Sequence, residues 1–176
     1  MEVKPIADVH GAYLIEFDRF EDDRGYFQEV YSTARKYPHF VGTERQVNLS
    51  QSQKGTVRGM HIVPFAKLCS CPKGRLYDVV ADVREESPTY LNWYGVWLDE
   101  HNRRQLFVPG GCAHGFFAEE DGTLLLYLQD GTYNPEVERE VNWRDPKIGI
   151  RWPDAQQYFL SEKDKRAKFL DSKLEK

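Results

Sequence analysis

Ten short runs of β-branched and aromatic residues, evenly spaced and separated by turn formers, constrain this chain more than any other feature. They are AYLIEF (12–17), YFQEV (26–30), RQVNLS (45–50), TVRGMHI (56–62), KLCSC (67–71), RLYDVVADV (75–83), YLNWYGVWL (90–98), RQLFVP (104–109), AHGFFA (113–118) and TLLLYLQ (123–129). PKG (72–74), ESP (86–88), DEHN (99–102), PGG (109–111) and EEDG (119–122) supply the turns between several of them. Short strands at this spacing predict an all-β sandwich, jelly roll or barrel. One helix is expected near the end, where Ser161 can cap EKDKRAKFLDSKL (162–174). No linker, repeat or low-complexity tract interrupts the series, and 176 residues suit one domain spanning 1–176.

Charge narrows the partners. A net charge of −4 provides no basic field for nucleic acid. No apolar run is long enough to span a membrane, and MEVKPIADVHGAYLIEF lacks the apolar core of a signal peptide. Cys69, Cys71 and Cys112 are odd in number and lie in or beside strand-like segments, so reduced thiols in a cytoplasmic protein are expected. The chain has no C-x-x-C, and Val63 stands where a His-x-His pair would place its second histidine, so no metal site is predicted.

Against that mildly acidic background, VRGMHIVPFAKL (57–68) gathers Arg58, His61 and Lys67 on strand-like sequence broken by Pro64. Buried charge is costly without a partner, so the cluster either lies in water or faces something anionic. Arg58 and His61 can converge only through a bulge, turn or strand end, which Gly59 permits. His114 follows a Gly-rich turn, a common place for close backbone approach to a ligand. Tyr127 shares the parity of Leu125 and Gln129 and is expected to face the interior. With no glycine-rich phosphate loop present, any bound phosphate must be held by side chains, for which Arg24, Arg58 and Lys67 are candidates.

Six ordered stretches carry a family resemblance: FEDDRGYFQEVY (20–31), QVNLSQSQKGTVRGMH (46–61), KLCSCPKGRLYDVVADVREESPTY (67–90), RRQLFVPGGCAHGF (103–116), YLQDGTYNPEVE (127–138) and DPKIGIRWP to LSEKD (145–164). Together they resemble the dTDP-4-dehydrorhamnose 3,5-epimerase family. The resemblance implies a cupin-type β jelly roll, a homodimer, no cofactor, and inversion of C3 and C5 in a nucleoside-diphosphate 4-keto sugar. It implies that His61 is the general base, Asp164 its paired carboxylate, Tyr127 the proton donor and Lys67 the stabiliser of enolate charge. Arg24, Glu29, Gln46, Asn48, Arg58, His114, Tyr133, Glu138 and Lys163 match substrate-binding positions.

The chain departs from the family pattern in three places. Ile62 to Ala66 make a shorter bridge from His61 to Lys67, Gly110 and Cys112 replace the usual residues before His114, and Thr132 stands where many members have tyrosine. The nucleotide, the sugar (hexose or heptose) and the number of carbons inverted therefore stay open. A C3-only or C5-only epimerase, a 3,4-ketoisomerase and a non-catalytic sugar-nucleotide binder are the alternatives.

Overall fold

The structure, a computed structural model, describes residues 1–35, 37, 40 and 45–170. Two antiparallel sheets face each other. The six-stranded sheet runs in the order β1 (Glu2–Pro5), β2 (Tyr13–Glu16), β10 (Arg104–Val108), β7 (Lys67–Lys73), β12 (Thr123–Gln129), β5 (Gln46–Ser52). The five-stranded sheet runs β13 (Arg139–Glu140), β6 (Val57–Ile62), β11 (Ala113–Ala118), β8 (Arg75–Ala81), β9 (Trp93–Asp99). A separate hairpin pairs β3 (Arg19–Asp22) with β4 (Gly25–Gln28), and α1 is short, Glu162–Arg166.

All ten anticipated strands form, with β1, β3 and β13 in addition. Those three were not anticipated because their sequences (EVKP, RFED and RE) are too short, polar or Pro-containing to show a period of two. The helix ends sooner than its sequence suggests. Beyond Arg166 the backbone bonds to another segment: Asn142 N–H donates to the Lys168 carbonyl (2.8 Å), and Leu170 N–H donates to Asp145 Oδ2 (2.5 Å). Tertiary hydrogen bonding overrides local propensity here. The remainder of the anticipated helix, 171–174, lies outside the described residues.

Alternation places each side chain. Cys69, Leu106 and Leu125 from one sheet meet Leu76, Val80, Leu98 and Phe116 from the other, forming the apolar interior, and Tyr127 packs against it as its parity requires. The opposite face of the five-stranded sheet buries Met60, Ile62, Val79 and Phe117 under Val141, Trp143 and Ile148. Leu68, Phe107 and Leu128, on the opposite face of the six-stranded sheet, pack with Ile15, Phe17 and Tyr37. Burying each such side chain contributes about 1.5–3 kcal/mol. His61, between Met60 and Ile62, is thereby turned inward.

The turn after β8 shows how a buried charge is tolerated. Asp82, fully buried, accepts from Arg84 Nη2 (2.7 Å) and Nε (2.8 Å), Ser87 Oγ (2.5 Å) and Thr89 Oγ1 (2.6 Å). Burial alone would raise its carboxyl, but these donors outweigh it and hold the pKa at about 2 rather than 3.8. A depressed folded-state pKa stabilises the fold above the unfolded value, and that contribution fades as pH falls through the folded value. Asp82→Asn should therefore lower unfolding free energy at pH 7 by about 2 kcal/mol. Urea titrations of both proteins should show the gap shrinking as pH drops from about 4 towards about 2.

Candidate active site

Pro64 marks where the chain leaves one sheet for the other. β6 ends at Ile62 in the five-stranded sheet, and β7 begins at Lys67 in the six-stranded sheet. His61 and Lys67, six positions apart, therefore project into the interior from different sheets. Arg58 joins them through an irregularity in the β6–β11 pairing, where His61 pairs with His114 and Arg58 with Phe116, a shift of one residue. Gly59, with φ of +123°, sits at the shift; a Cβ there would lie 2.7 Å from Gly115 Cα and 2.8 Å from the His114 carbonyl. Only glycine fits such a crossing.

His61 is held from two sides. Its Nε2 lies 2.8 Å from Asp164 Oδ1, and its Nδ1 lies 3.7 Å from Glu138 Oε1. α1 delivers Asp164: Ser161 caps the helix by accepting from Asp164 N–H (3.0 Å), leaving the buried carboxylate towards β6. Burial would raise the Asp164 carboxyl, but the bond and charge of His61, with donors from Ser161 and Gly59, hold it below the usual range. An ionised carboxylate on Nε2 keeps the proton on that nitrogen, so Nδ1 carries the lone pair.

Glu138 lies at the hub of a second network. Its Oε2 accepts from Lys163 Nζ (2.5 Å) and Tyr133 Oη (3.3 Å), and Lys163 also pairs with Glu140 (3.3 Å). Burial would raise the Glu138 carboxyl, yet Lys163 and His61 hold it low. Tyr133 N–H donates to Gln46 Oε1 (2.8 Å), Gln46 Nε2 donates to Asn48 Oδ1 (2.8 Å), and Asn48 Nδ2 approaches Gln129 Oε1 (3.5 Å). These polar residues form one connected wall.

β7 and β12 of the six-stranded sheet supply Lys67 and Tyr127. Lys67 is buried, with Nζ 5.9 Å from the Tyr127 ring centroid. Burial pushes its ammonium down, opposed by the charges of Cys69, Glu138 and Asp78. Burial also raises the Tyr127 phenol, so it keeps its proton at neutral pH and can give it up. Arg58 is bound by neutral acceptors, Ser52 Oγ (3.1 Å) and the Gln51 carbonyl (2.9 Å), and no ion pair neutralises it among the described residues. Its charge is available to an anion.

At the floor, His114 Nε2 lies 2.8 Å from Asp78 Oδ1 and 3.6 Å from Cys69 Sγ. Burial pushes the His114 ring down and so keeps it neutral, and burial raises the Cys69 thiol well above its ordinary value. The three donor atoms lie within 4.8 Å of one another, so this floor, rather than His61, is where a metal ion could be held. Asp78 was not singled out from the sequence, and Cys69 was expected only as a reduced thiol, although both occupy inward parities on their strands. Cys71 and Cys112 are also free buried thiols, each raised to about 12 chiefly by burial.

Two expected site residues lie elsewhere in the chain. Arg24 sits at the exposed turn of the β3–β4 hairpin and pairs with Asp22 (2.6 Å). Glu29 pairs with Arg35. The cavity over Arg58, His61, Ser161 and Asp164 is about 250 Å³. A larger groove of about 650 Å³, lined by Lys54, Glu119, Asp121 and Asp154, brings together no base and acid of this kind.

Comparison with known proteins places the chain in a family. The dTDP-4-dehydrorhamnose 3,5-epimerase family matches residues 7–172. A dTDP-4-dehydrorhamnose 3,5-epimerase of Sinorhizobium fredii is 44% identical over 157 residues, covering 86% of this chain and 80% of the relative. A dTDP-4-dehydrorhamnose 3-epimerase of Streptomyces niveus is 37% identical over 177 residues, covering 97% and 84%. The crystal structure of dTDP-6-deoxy-D-glucose-3,5-epimerase from Legionella pneumophila in complex with dTDP-4-keto-L-rhamnose superposes with a TM-score of 0.87 at 34% identity, covering 96% of this chain and 92% of that one. With its facing antiparallel sheets forming a cupin-type jelly roll, this chain belongs to the dTDP-4-dehydrorhamnose 3,5-epimerase family.

Proposed function

We propose that this chain is an isomerase that inverts C3 and C5 of a dTDP-linked 4-keto-6-deoxy sugar by removing and returning protons. The observation that carries this reading is the His61–Asp164 contact at 2.8 Å inside a roll whose opposite sheet carries Lys67 and Tyr127. A ketone at C4 acidifies the hydrogens on both neighbouring carbons, so the reaction needs a base, an acid and a stabiliser of enolate charge. His61 Nδ1 takes the proton, and Asp164 stabilises the imidazolium that forms. Lys67 meets the developing oxyanion. Tyr127 returns a proton to the opposite face. Arg58 holds phosphate, and Gln46, Asn48, Tyr133, His114 and Lys163 bound the sugar. We read residues 1–176 as one domain acting in the cytoplasm; its free thiols support that compartment, and no helix among the described residues is long and apolar enough to cross a membrane.

Phe20 (64% exposed) and Phe27 (69%) pair across the β3–β4 hairpin, and Val47 (64%) and Leu49 (62%) line the free edge strand β5. Apolar surface on a hairpin and an unpaired strand edge favours a second copy of the chain. The cavity of about 250 Å³ beside His61 and Asp164 is lined by neither Lys67 nor Tyr127 and falls short of the roughly 300–1,000 Å³ typical of ligand pockets. In a homodimer, Arg24 and Glu29 on or beside the partner's hairpin supply contacts to the nucleotide end. A 3-epimerase is the second reading, favoured by the relative from Streptomyces niveus.

Two experiments test these readings. In D₂O, NMR of a dTDP-4-keto-6-deoxyglucose incubation should show solvent deuterium at both C3 and C5, whereas label at one carbon identifies a mono-epimerase and a migrated carbonyl a 3,4-ketoisomerase. His61→Asn should slow that uptake by at least about 10²-fold with circular dichroism unchanged, and full exchange by the variant removes His61 as base. Light scattering after gel filtration should return twice the 20.6 kDa chain mass, and Phe27→Asp with Leu49→Asp should shift it to one. A monomeric wild type defeats the assembly proposal.

A further inference from the structure

Each inversion leaves the catalytic pair in the wrong protonation state. The carbon–hydrogen bond that breaks places its proton on His61 Nδ1, and the Tyr127 O–H that breaks forms the new carbon–hydrogen bond on the opposite face. Imidazolium and phenolate remain. Before a second carbon or a second molecule can react, the imidazolium must lose a proton to water and the phenolate must regain one from water, so the exchange balances. The structure restricts the route for the first of these. His61 Nε2 is closed by Asp164, whose side chain is only 4% exposed, and the face at Nδ1 is where the sugar ring must lie.

Glu138 is the remaining carboxylate at the ring, 3.7 Å from the nitrogen that receives the proton. Its other oxygen is bonded to Lys163 Nζ at 2.5 Å and Tyr133 Oη at 3.3 Å, and both of those residues are exposed. One carboxylate oxygen thus points at the loaded nitrogen and the other at groups in contact with water. Glu140, the remaining acidic neighbour, reaches Lys163 at 3.3 Å and is not bonded to the ring. Resting on the epimerase reading above, we propose that Glu138 is the relay through which His61 discharges its proton to solvent between inversions. The cation of Lys163 returns Glu138 to its ionised form after each transfer. Glu138 acts through His61, so it is a relay and positioning residue, and its efficiency sets how readily the enzyme proceeds from one carbon to the next.

The test uses Glu138→Gln, which keeps an acceptor for Lys163 and Tyr133 but cannot carry the proton. Deuterium uptake at each carbon is followed in the full-length protein at fixed pH and ionic strength while imidazole is raised as an external base. Uptake by the variant should climb at least about tenfold with imidazole towards a plateau, while wild type stays flat. Singly labelled product should also accumulate in the variant relative to wild type. Glu138→Asp, with its carboxylate drawn back by one methylene, should fall between the two, and it decides the matter if Glu138→Gln fails to fold. Uptake insensitive to imidazole, or a defect confined to KM, overturns the relay and leaves Glu138 a binding residue. Wild type that takes up no deuterium at all overturns the epimerase reading instead, and the relay falls with it.

Discussion

A single hydrogen bond, from the ring of His61 to the carboxylate of Asp164 at 2.8 Å, joins residues 103 positions apart and sets what the interior can do. It orients the imidazole and fixes which nitrogen carries a proton. It also makes a buried carboxylate tolerable, since an unpaired charge at that depth would be costly. Much of the surrounding architecture serves this contact. The Gly59 bulge turns the β6 backbone, Ser161 caps the short helix that presents Asp164, and Met60 and Ile62 anchor the strand from behind.

The interior of the roll divides along its length. Toward one end Leu76, Leu98, Leu106 and Leu125 fill it as any apolar core would. Toward the other lie buried Lys67, the Asp78–His114 pair at 2.8 Å and Asp164 bound to His61. In a low-dielectric setting such groups act on a bound molecule more strongly than they would in solvent. A cation opposite a histidine–carboxylate couple, with a protonated phenol beside the cation, is suited to moving a proton next to a carbonyl. Binding alone would not call for a base and an acid together.

Glycine placement ties fold to site. At Gly59 and Gly115 two backbones cross so closely that a side chain on either would strike the other strand. That crossing lets Arg58, His61 and His114 share one end of the barrel although a regular ladder would alternate Arg58 and His61 to opposite faces. At Gly110, a Cβ would lie 2.3 Å from the Pro64 carbonyl, so the turn before His114 and the bridge from His61 to Lys67 pack directly together. The short bridge and the glycine at 110, two of the places where the sequence was read as departing from the family pattern, touch.

By itself the sequence determined the class of fold, because period-two patterning and turn chemistry are local and were readable in all ten runs. It also determined which residues were candidates for chemistry, Arg58, His61, Lys67, Tyr127 and Asp164 among them, since their types and motif positions are independent of packing. Tertiary structure alone decided the rest. The switch of sheets at Pro64 sets His61 and Lys67 across from each other, and Asp78 and Cys69 join His114 only because three strands bring them together. The helix stops at Arg166 because Asn142 and Asp145 capture the following backbone. Arg24 lies on an exposed hairpin rather than at His61 because β3 and β4 pair with each other and with neither main sheet. Contacts between residues distant in sequence depend on register and closure of the sheets, which local patterning does not encode.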